Sequence, residues 1–254
     1  MNLVFASGFL APQRLHGINY FRGMQAHLAQ AGHKAIFPEV PPAGTCKTRA
    51  PLLARAIQQA FPEGEIHIIA HSMGGLDSRT LIAGNLNGLA DPGRIASLTT
   101  VSSPHRGSPV ADLLAGGEPE GLQRVAYRAI ARVIDHFGID SGALGDLTTD
   151  GAAQVPDTTQ SHPHIRYRSY FAAGRPGRLK TCLALAPIHE YISDVTQQPN
   201  DGVVALDSAR YGEFRQPYWP CDHIDMIGHN LDTADLGDFQ FDHFAAFDAI
   251  IDQL

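Results

Sequence analysis

The stretch Ile66-His67-Ile68-Ile69-Ala70-His71-Ser72-Met73-Gly74-Gly75-Leu76 constrains this chain more than any other. A β-branched run stops at Ser72, and two glycines follow. Leu76, Leu81 and Ile82 then recur at helical spacing, with Ser78 and Arg79 between them. The pattern predicts a strand, a very tight turn and a helix, with Ser72 at the apex. Such a turn strains the apical backbone and needs small neighbours on both sides. Ala70 and Gly74 are small, so the segment reads A-H-S-M-G, one methyl group away from G-x-S-x-G. The turn would hold the Ser72 hydroxyl clear of a sheet and put the Met73 N–H at a helix N-terminus, where it can face developing negative charge. The motif alone fits an ordinary strand-to-helix turn with a capping serine equally well. Its partners must come from the rest of the chain.

Taken in order, the chain alternates strands and helices. Leu3 to Ala6 reads as a strand ended by Ser7-Gly8-Phe9-Leu10, where Gly8 lets the Phe9 N–H turn into a site. Phe21, Met24, Leu28 and Ala31 mark one helix face, and Ala35 to Phe37 the next strand. Leu52, Leu53, Ala56, Ile57 and Ala60 mark another helix, stopped near Pro62. Ser97 to Val101 is a strand ending in the polar loop Ser102-Ser103-Pro104-His105-Arg106-Gly107. Ile165 to Ala172 alternates as a strand does, Pro199-Asn200-Asp201-Gly202 is a turn, and Phe241 to Leu254 reads as a last helix packed on the sheet. This rhythm predicts βαβ units and a mostly parallel sheet flanked by helices. Sites in such sheets lie at the carboxyl ends of the strands, where Phe9, Ser72 and the 102–107 loop would meet. Residues 110–147 break the rhythm. Leu122, Val125, Ala126, Ala129, Ile130, Val133, Ile134 and Phe137 form an apolar stripe at helical spacing, which fits either a fixed packing helix or a helical cap over the strand ends.

A chain of 254 residues with 44% hydrophobic and 18% charged residues suits one globular α/β domain over 1–254. A net charge of −7 argues against nucleic acid and against electrostatic attachment to an anionic membrane. No apolar run approaches the roughly 20 residues of a membrane span. Met1 runs straight into the first strand with no basic leader region. This is the pattern of a cytoplasmic protein if the chain is complete, or of a secreted one if a leader has been removed. The three cysteines, Cys46, Cys182 and Cys221, form no C-x-x-C motif; reduced thiols are expected, with a Cys182–Cys221 bridge as the alternative.

A serine nucleophile needs a base, and the base needs an orienting carboxylate. Around such elbows the chain order is Ser, then Asp or Glu, then His. Asp201, in its turn, and His223, in Cys221-Asp222-His223-Ile224-Asp225, fit that order. Spacing leaves rivals: His189, His229 and His243 for the base, Asp194 and Asp207 for the acid.

The chain resembles the bacterial triacylglycerol lipases and esterases of the α/β-hydrolase superfamily. The resemblance rests on Ala6-Ser7-Gly8-Phe9-Leu10, Tyr20-Phe21, the segment from Ile68 to Arg79, and the segment from Thr99 to Ser108. Leu147-Thr148-Thr149-Asp150-Gly151-Ala152-Ala153, Asn200-Asp201-Gly202-Val203-Val204 and His223-Ile224-Asp225 complete it, all in family order over nearly the whole chain. It implies an α/β-hydrolase fold with a helical cap or lid insertion. It also implies Ser72 as nucleophile, Asp201 as acid and His223 as base, with Phe9 and Met73 as backbone N–H donors to an oxyanion. Leu10 and His71 flank these groups and are the candidate pocket residues. Two positions depart from the family pattern: Ala70 stands at the first elbow glycine, and Ser7 stands where a histidine usually precedes Gly8.

The activity this implies is hydrolysis of a small-molecule or lipid ester through an acyl-enzyme, with transient contact at a lipid–water interface. Thioesterases, amidases and polyester depolymerases use the same triad, and a silent binding protein of this fold would keep the pocket without the chemistry. Many lipases of this family hold one calcium through an aspartate two residues after the catalytic histidine and a second aspartate well before the acid. Asp225 fills the first place, whereas the second falls near Leu183, where no carboxylate stands. Calcium usually takes more than one carboxylate, so none is expected to be required.

Overall fold

The computed structural model describes residues 1–9, 19–117, 119, 124, 127–128, 131, 141–174, 181–182, 185–229 and 241–254. Six strands form one sheet in the order β2-β1-β3-β4-β5-β6, with every neighbouring pair parallel. They are β1 (Asn2–Ala6), β2 (Lys34–Ile36), β3 (Ile66–His71), β4 (Ile95–Val101), β5 (Arg166–Tyr170) and the two-residue β6 (Glu213–Phe214). The helices are α1 (Met24–Gln30), α2 (Cys46–Ala60), α3 (Gly74–Ala83), α4 (Pro109–Ala115), α5 (Ser141–Leu147), α6 (Thr149–Gln154), α7 (Ala186–Thr196), α8 (Leu206–Ala209) and α9 (His243–Ile251).

The sheet is buried on both faces, as parallel sheets require. Along β1, Val4 and Ala6 face one way, into a core with Leu53 and Ile57 of α2 and Leu81 and Ile82 of α3. Leu3 and Phe5 face the other way, against Met24 and Leu28 of α1 and Phe247, Ile250 and Ile251 of α9. Each fully buried Leu, Ile or Phe in these faces contributes roughly 1.5–3 kcal/mol. The final helix expected on the sheet is therefore α9, capped by Asp242, whose Oδ1 accepts the Ala245 N–H at 3.0 Å.

Register aligns the strand ends that build the site. Ala6 pairs with Ala70, His71 with Val101, and Val101 with Tyr170. Ser7, Ser72 and Ser102 therefore leave the sheet side by side at its carboxyl edge.

Two features differ from the sequence reading. α2 begins at Cys46, six residues before the expected apolar face, and contains Pro51. Thr45 caps it, accepting the Thr48 N–H at 3.3 Å. Pro51 lies on the exposed side of the helix, in its second turn, and leaves the Lys47 carbonyl without its usual i+4 N–H donor. The sequence reading also leaves 186–196 unassigned, and α7 occupies it. The apolar stripe expected for the insertion, Leu122 to Phe137, lies outside the described residues, as does Leu10. Of residues 110–147, α4, α5 and a few positions between them are described.

Candidate active site

The turn after β3 has the strain anticipated for it. Ser72 has φ +55°, in the left-handed region that side chains other than glycine rarely adopt. Such a conformation costs on the order of 1–3 kcal/mol and persists only where its surroundings over-determine it. Here the Ser72 N–H donates to the Val101 carbonyl at 3.1 Å, and the Ser72 carbonyl accepts the Gly75 N–H at 3.1 Å. A side chain at Gly74 would fall on the Ala6 carbonyl, and one at Gly75 on the Ser103 hydroxyl. Both glycines are thus required by close approach. Ala70 is fully buried within β3, so the departure from glycine at the first elbow position is accommodated.

The Ser7-Gly8-Phe9 loop passes directly over this turn. A Cβ on Gly8 would lie 2.6 Å from Ser72 Cβ and 3.1 Å from its Oγ. Among the described residues, neither the Phe9 nor the Met73 N–H donates to a backbone acceptor in a turn or loop. The loop is held from behind by Arg49 of α2, whose side chain is fully buried. Its Nη2 donates to the Ser7 carbonyl at 2.7 Å and the Gly8 carbonyl at 3.0 Å, and its Nη1 to the Pro41 carbonyl at 2.9 Å. Its Nε donates to Asp77 Oδ2 at 2.8 Å, on α3 just beyond the serine. Burial pushes the Asp77 carboxyl up to about 6, with Arg49 opposing the shift. One buried ion pair therefore links α3 to the Ser7-Gly8-Phe9 loop.

His223 and Asp201 meet as a pair. His223 Nδ1 and Asp201 Oδ2 are 2.8 Å apart, and Asp201 is fully buried. A carboxylate can only accept, so Nδ1 carries the proton and Nε2 is left with a lone pair. The other oxygen of Asp201 accepts the Val203 and Val204 N–H groups at 2.9 and 2.7 Å. The His223 N–H donates to the Asp201 carbonyl at 2.9 Å, so backbone as well as side chain joins the two.

Of the rivals, His229, His243 and Asp207 have side chains engaged elsewhere. The Nε2 of His229 bonds the Asn19 and Tyr20 carbonyls, and that of His243 bonds the Arg22 carbonyl. His189 is buried in α7. Asp207 accepts from Gln198, and the Asp194 carbonyl accepts from Gln197. A second His–Asp pair, His27–Asp248 at 2.8 Å, joins α1 to α9 with partly exposed side chains and contains no serine.

His71, expected in the pocket, is 1% exposed and lies beneath the site. Its Nδ1 is 2.7 Å from the Tyr20 hydroxyl, and its ring centroid is 4.5 Å from that of His223. Burial, then the neighbouring His223, holds His71 well below its usual range. A neutral ring therefore supports His223 without adding charge beside it. Two cavities open in this half of the molecule, neither lined by Ser72, Asp201 or His223. One, of about 450 Å³, is lined in part by His189 and Pro199; the other, of about 370 Å³, reaches Ser7 and Tyr20.

No protein-family model matches the sequence. Individual relatives do. Triacylglycerol lipase 2 of Saccharomyces cerevisiae is 31% identical over 219 residues, covering 83% of this chain and 62% of that protein. The chain thus spans less than two thirds of the yeast relative's length. A triacylglycerol lipase of Pseudomonas fragi is 27% identical over 262 residues, covering 89% of this chain and 87% of that protein. The solved structure of lipase 1 from Pelosinus fermentans superposes with a TM-score of 0.67 at 21% identity, over 100% of this chain and 98% of that one. The chain has the fold of the α/β-hydrolases and is similar in sequence to triacylglycerol lipases.

Around the elbow, α4, α5 and α6 pack onto the site itself. Ala111 of α4, Ala143 and Leu147 of α5 and Ala152 of α6 form one apolar cluster with Met73, Leu76 and Cys46, and Phe9 packs against it. Asp112 accepts both the N–H and the hydroxyl of Thr149, at 2.8 and 2.6 Å. Asp146 accepts the Cys46 N–H at 2.5 Å. Cys182 and Cys221 are both buried thiols. Asp225, the candidate calcium ligand, opens a short 3-10 turn, Asp225–Ile227. Among the described residues no group of three or more His, Cys, Asp or Glu converges as a metal would need.

Sequence reasoning assigned no role to Arg49, Asp77 or Tyr20, although Tyr20 and Asp77 lie in segments that carry the family resemblance. Arg49 carried a usable signal, because with Cys46, Ala50, Leu53, Ala54 and Ile57 it lies on the buried face of α2. A charge on an apolar stripe has to be paired inside.

Proposed function

We propose that this α/β-hydrolase is a serine carboxylic-ester hydrolase working through an acyl-enzyme. Ser72 Oγ attacks the ester carbonyl and gives its proton to His223 Nε2. The tetrahedral oxyanion is received by the Phe9 and Met73 N–H groups, each contributing roughly 3–4 kcal/mol to the barrier reduction. The C–O bond to the alcohol breaks, and the His223 imidazolium protonates the departing oxygen. Water, deprotonated by His223, then attacks the acyl-enzyme, and collapse of the second intermediate returns the proton to Ser72. Asp201 stays ionised throughout and holds the imidazole tautomer.

The observation that carries this reading is the conjunction of a serine at φ +55° at the end of β3 with a buried His–Asp pair at 2.8 Å at the same sheet edge. The relatives named triacylglycerol lipases favour a lipid ester as substrate. The packing of α4 and α5 against Met73 and Phe9 supports a role for residues 110–147 as a cap over Ser72. Ser72→Ala is expected to lower turnover of p-nitrophenyl esters by roughly 10⁴-fold or more. Turnover at the parental rate would end the proposal. A series of acyl lengths, continued past the solubility limit, separates a lipase, whose rate climbs at that limit, from an esterase, whose curve stays hyperbolic.

A further inference from the structure

Asp222 precedes the proposed base and is 1% exposed. Its carboxylate accepts three backbone N–H groups. Oδ1 takes those of Ile224 and Asp225, both at 2.9 Å, which closes the turn behind His223. Oδ2 takes that of Cys182 at 2.8 Å, forty residues earlier in the chain. The Cys182 carbonyl in turn accepts the Leu185 and Ala186 N–H groups that start α7. Farther along α7, the His189 carbonyl and the Ser193 hydroxyl accept from Asn200 Nδ2, at 3.2 and 2.9 Å, directly before Asp201. The contacts form a closed ring: His223 to Asp201, Asn200 to α7, α7 to Cys182, Cys182 to Asp222, and Asp222 back to His223.

We propose that Asp222 is the positioning residue for His223, its carboxylate tying the histidine turn to α7 through three N–H groups in place of a bridging cation. The donor set does not fit calcium, a hard cation that needs several oxygen ligands with free lone pairs. Both Asp222 oxygens already face N–H hydrogens, and among the described residues no group of three or more His, Cys, Asp or Glu could hold a metal ion. With the ring intact, His223 Nδ1 stays at 2.8 Å from Asp201. In Asp222→Asn an amide NH₂ faces donors where a carboxylate oxygen stood, so at least one tie opens and the imidazole gains freedom.

This inference rests on His223 being the base, and its test uses readouts that do not depend on turnover. In folded Asp222→Asn, kcat for a soluble p-nitrophenyl ester is expected to fall roughly tenfold or more, because misplacement of a base acts on the chemical step. KM should stay within about twofold. The low-field NMR resonance of the proton between His223 Nδ1 and Asp201 should broaden or vanish. In the unaltered protein, melting should be the same in EGTA and in added calcium. A folded variant with parental kcat and an unchanged low-field resonance would overturn the proposal and leave Asp222 as a turn cap. A fall of many degrees in EGTA, restored by calcium, would overturn it also. Should the unaltered protein hydrolyse no ester, the enzymatic reading fails, while the resonance and the melting scans still judge the ring.

Discussion

Gly8→Ala is the substitution for which the structure makes the sharpest demand. The new Cβ would stand 2.5 Å from the Tyr20 hydroxyl and 2.6 Å from Ser72 Cβ. Ordinary contacts between such atoms are about 3.5–4.0 Å, so something must move by about 1 Å. Tyr20 gives way poorly, because its hydroxyl is bound to His71 at 2.7 Å and its ring packs edge-on against Phe21. Ser72 is fixed by its strained turn. The oxyanion loop therefore shifts instead, against the hold of Arg49 on the Ser7 and Gly8 carbonyls, and carries the Phe9 N–H with it. Loss of one oxyanion donor costs roughly 2.7–4 kcal/mol, a fall of about 10²–10³ in kcat. Overpacking itself costs about 1–3 kcal/mol of stability, which circular dichroism will show as a lower melting point with the protein still folded at assay temperature. The assay is kcat and KM for p-nitrophenyl butyrate. A kcat within about threefold of the parent, in a folded variant, would refute the rigid-loop argument and the place of Phe9 in it.

Arg49→Met strips Asp77 of its buried partner and should cost about 3–5 kcal/mol near neutral pH. The loss should shrink as pH falls toward 6, since burial raises the Asp77 carboxyl and a raised acid favours the folded state at low pH and disfavours it as pH rises. Equal losses in melting scans at about pH 6 and pH 8 would contradict this. His105 is buried beside Arg79 and Arg106 and held well below 6.5, so it stays neutral in the folded state while the unfolded chain takes up a proton as pH falls. Stability from this group is therefore present above 6.5 and lost below it. His105→Asn should flatten the acid limb of urea-unfolding stability by up to about 1.4 kcal/mol per pH unit. Parallel limbs would contradict the assignment.

The elements that sequence revealed are those whose causes are local. The elbow was legible because a left-handed serine between close-packed turns demands small neighbours, and Ala70, Gly74 and Gly75 meet that demand within six residues. The unbroken apolar run of β1 and the apolar positions of α9 fit a sheet covered on both faces. The pair Asp201–His223 needed more than spacing, since thirteen histidines left several candidates and family resemblance had to choose between them. What stayed hidden is non-local. Arg49 reaches Asp77 and the Ser7 carbonyl across 28 and 42 residues. His71 sits in the motif itself, yet whether it faces substrate or Tyr20 depends on how β1 and β3 pack. Asp222 looked like a loop carboxylate beside the histidine, and only the Cys182 contact reveals a link across 40 residues.

The central claim is that Ser72 is a nucleophile activated by His223. The most direct measurement is reaction with a fluorophosphonate followed by mass spectrometry of the digested protein. The account predicts one covalent adduct, on the Ser72 hydroxyl, absent from Ser72→Ala and formed far more slowly in His223→Ala. An unlabelled folded protein, or an adduct on another residue that survives in Ser72→Ala, would contradict it.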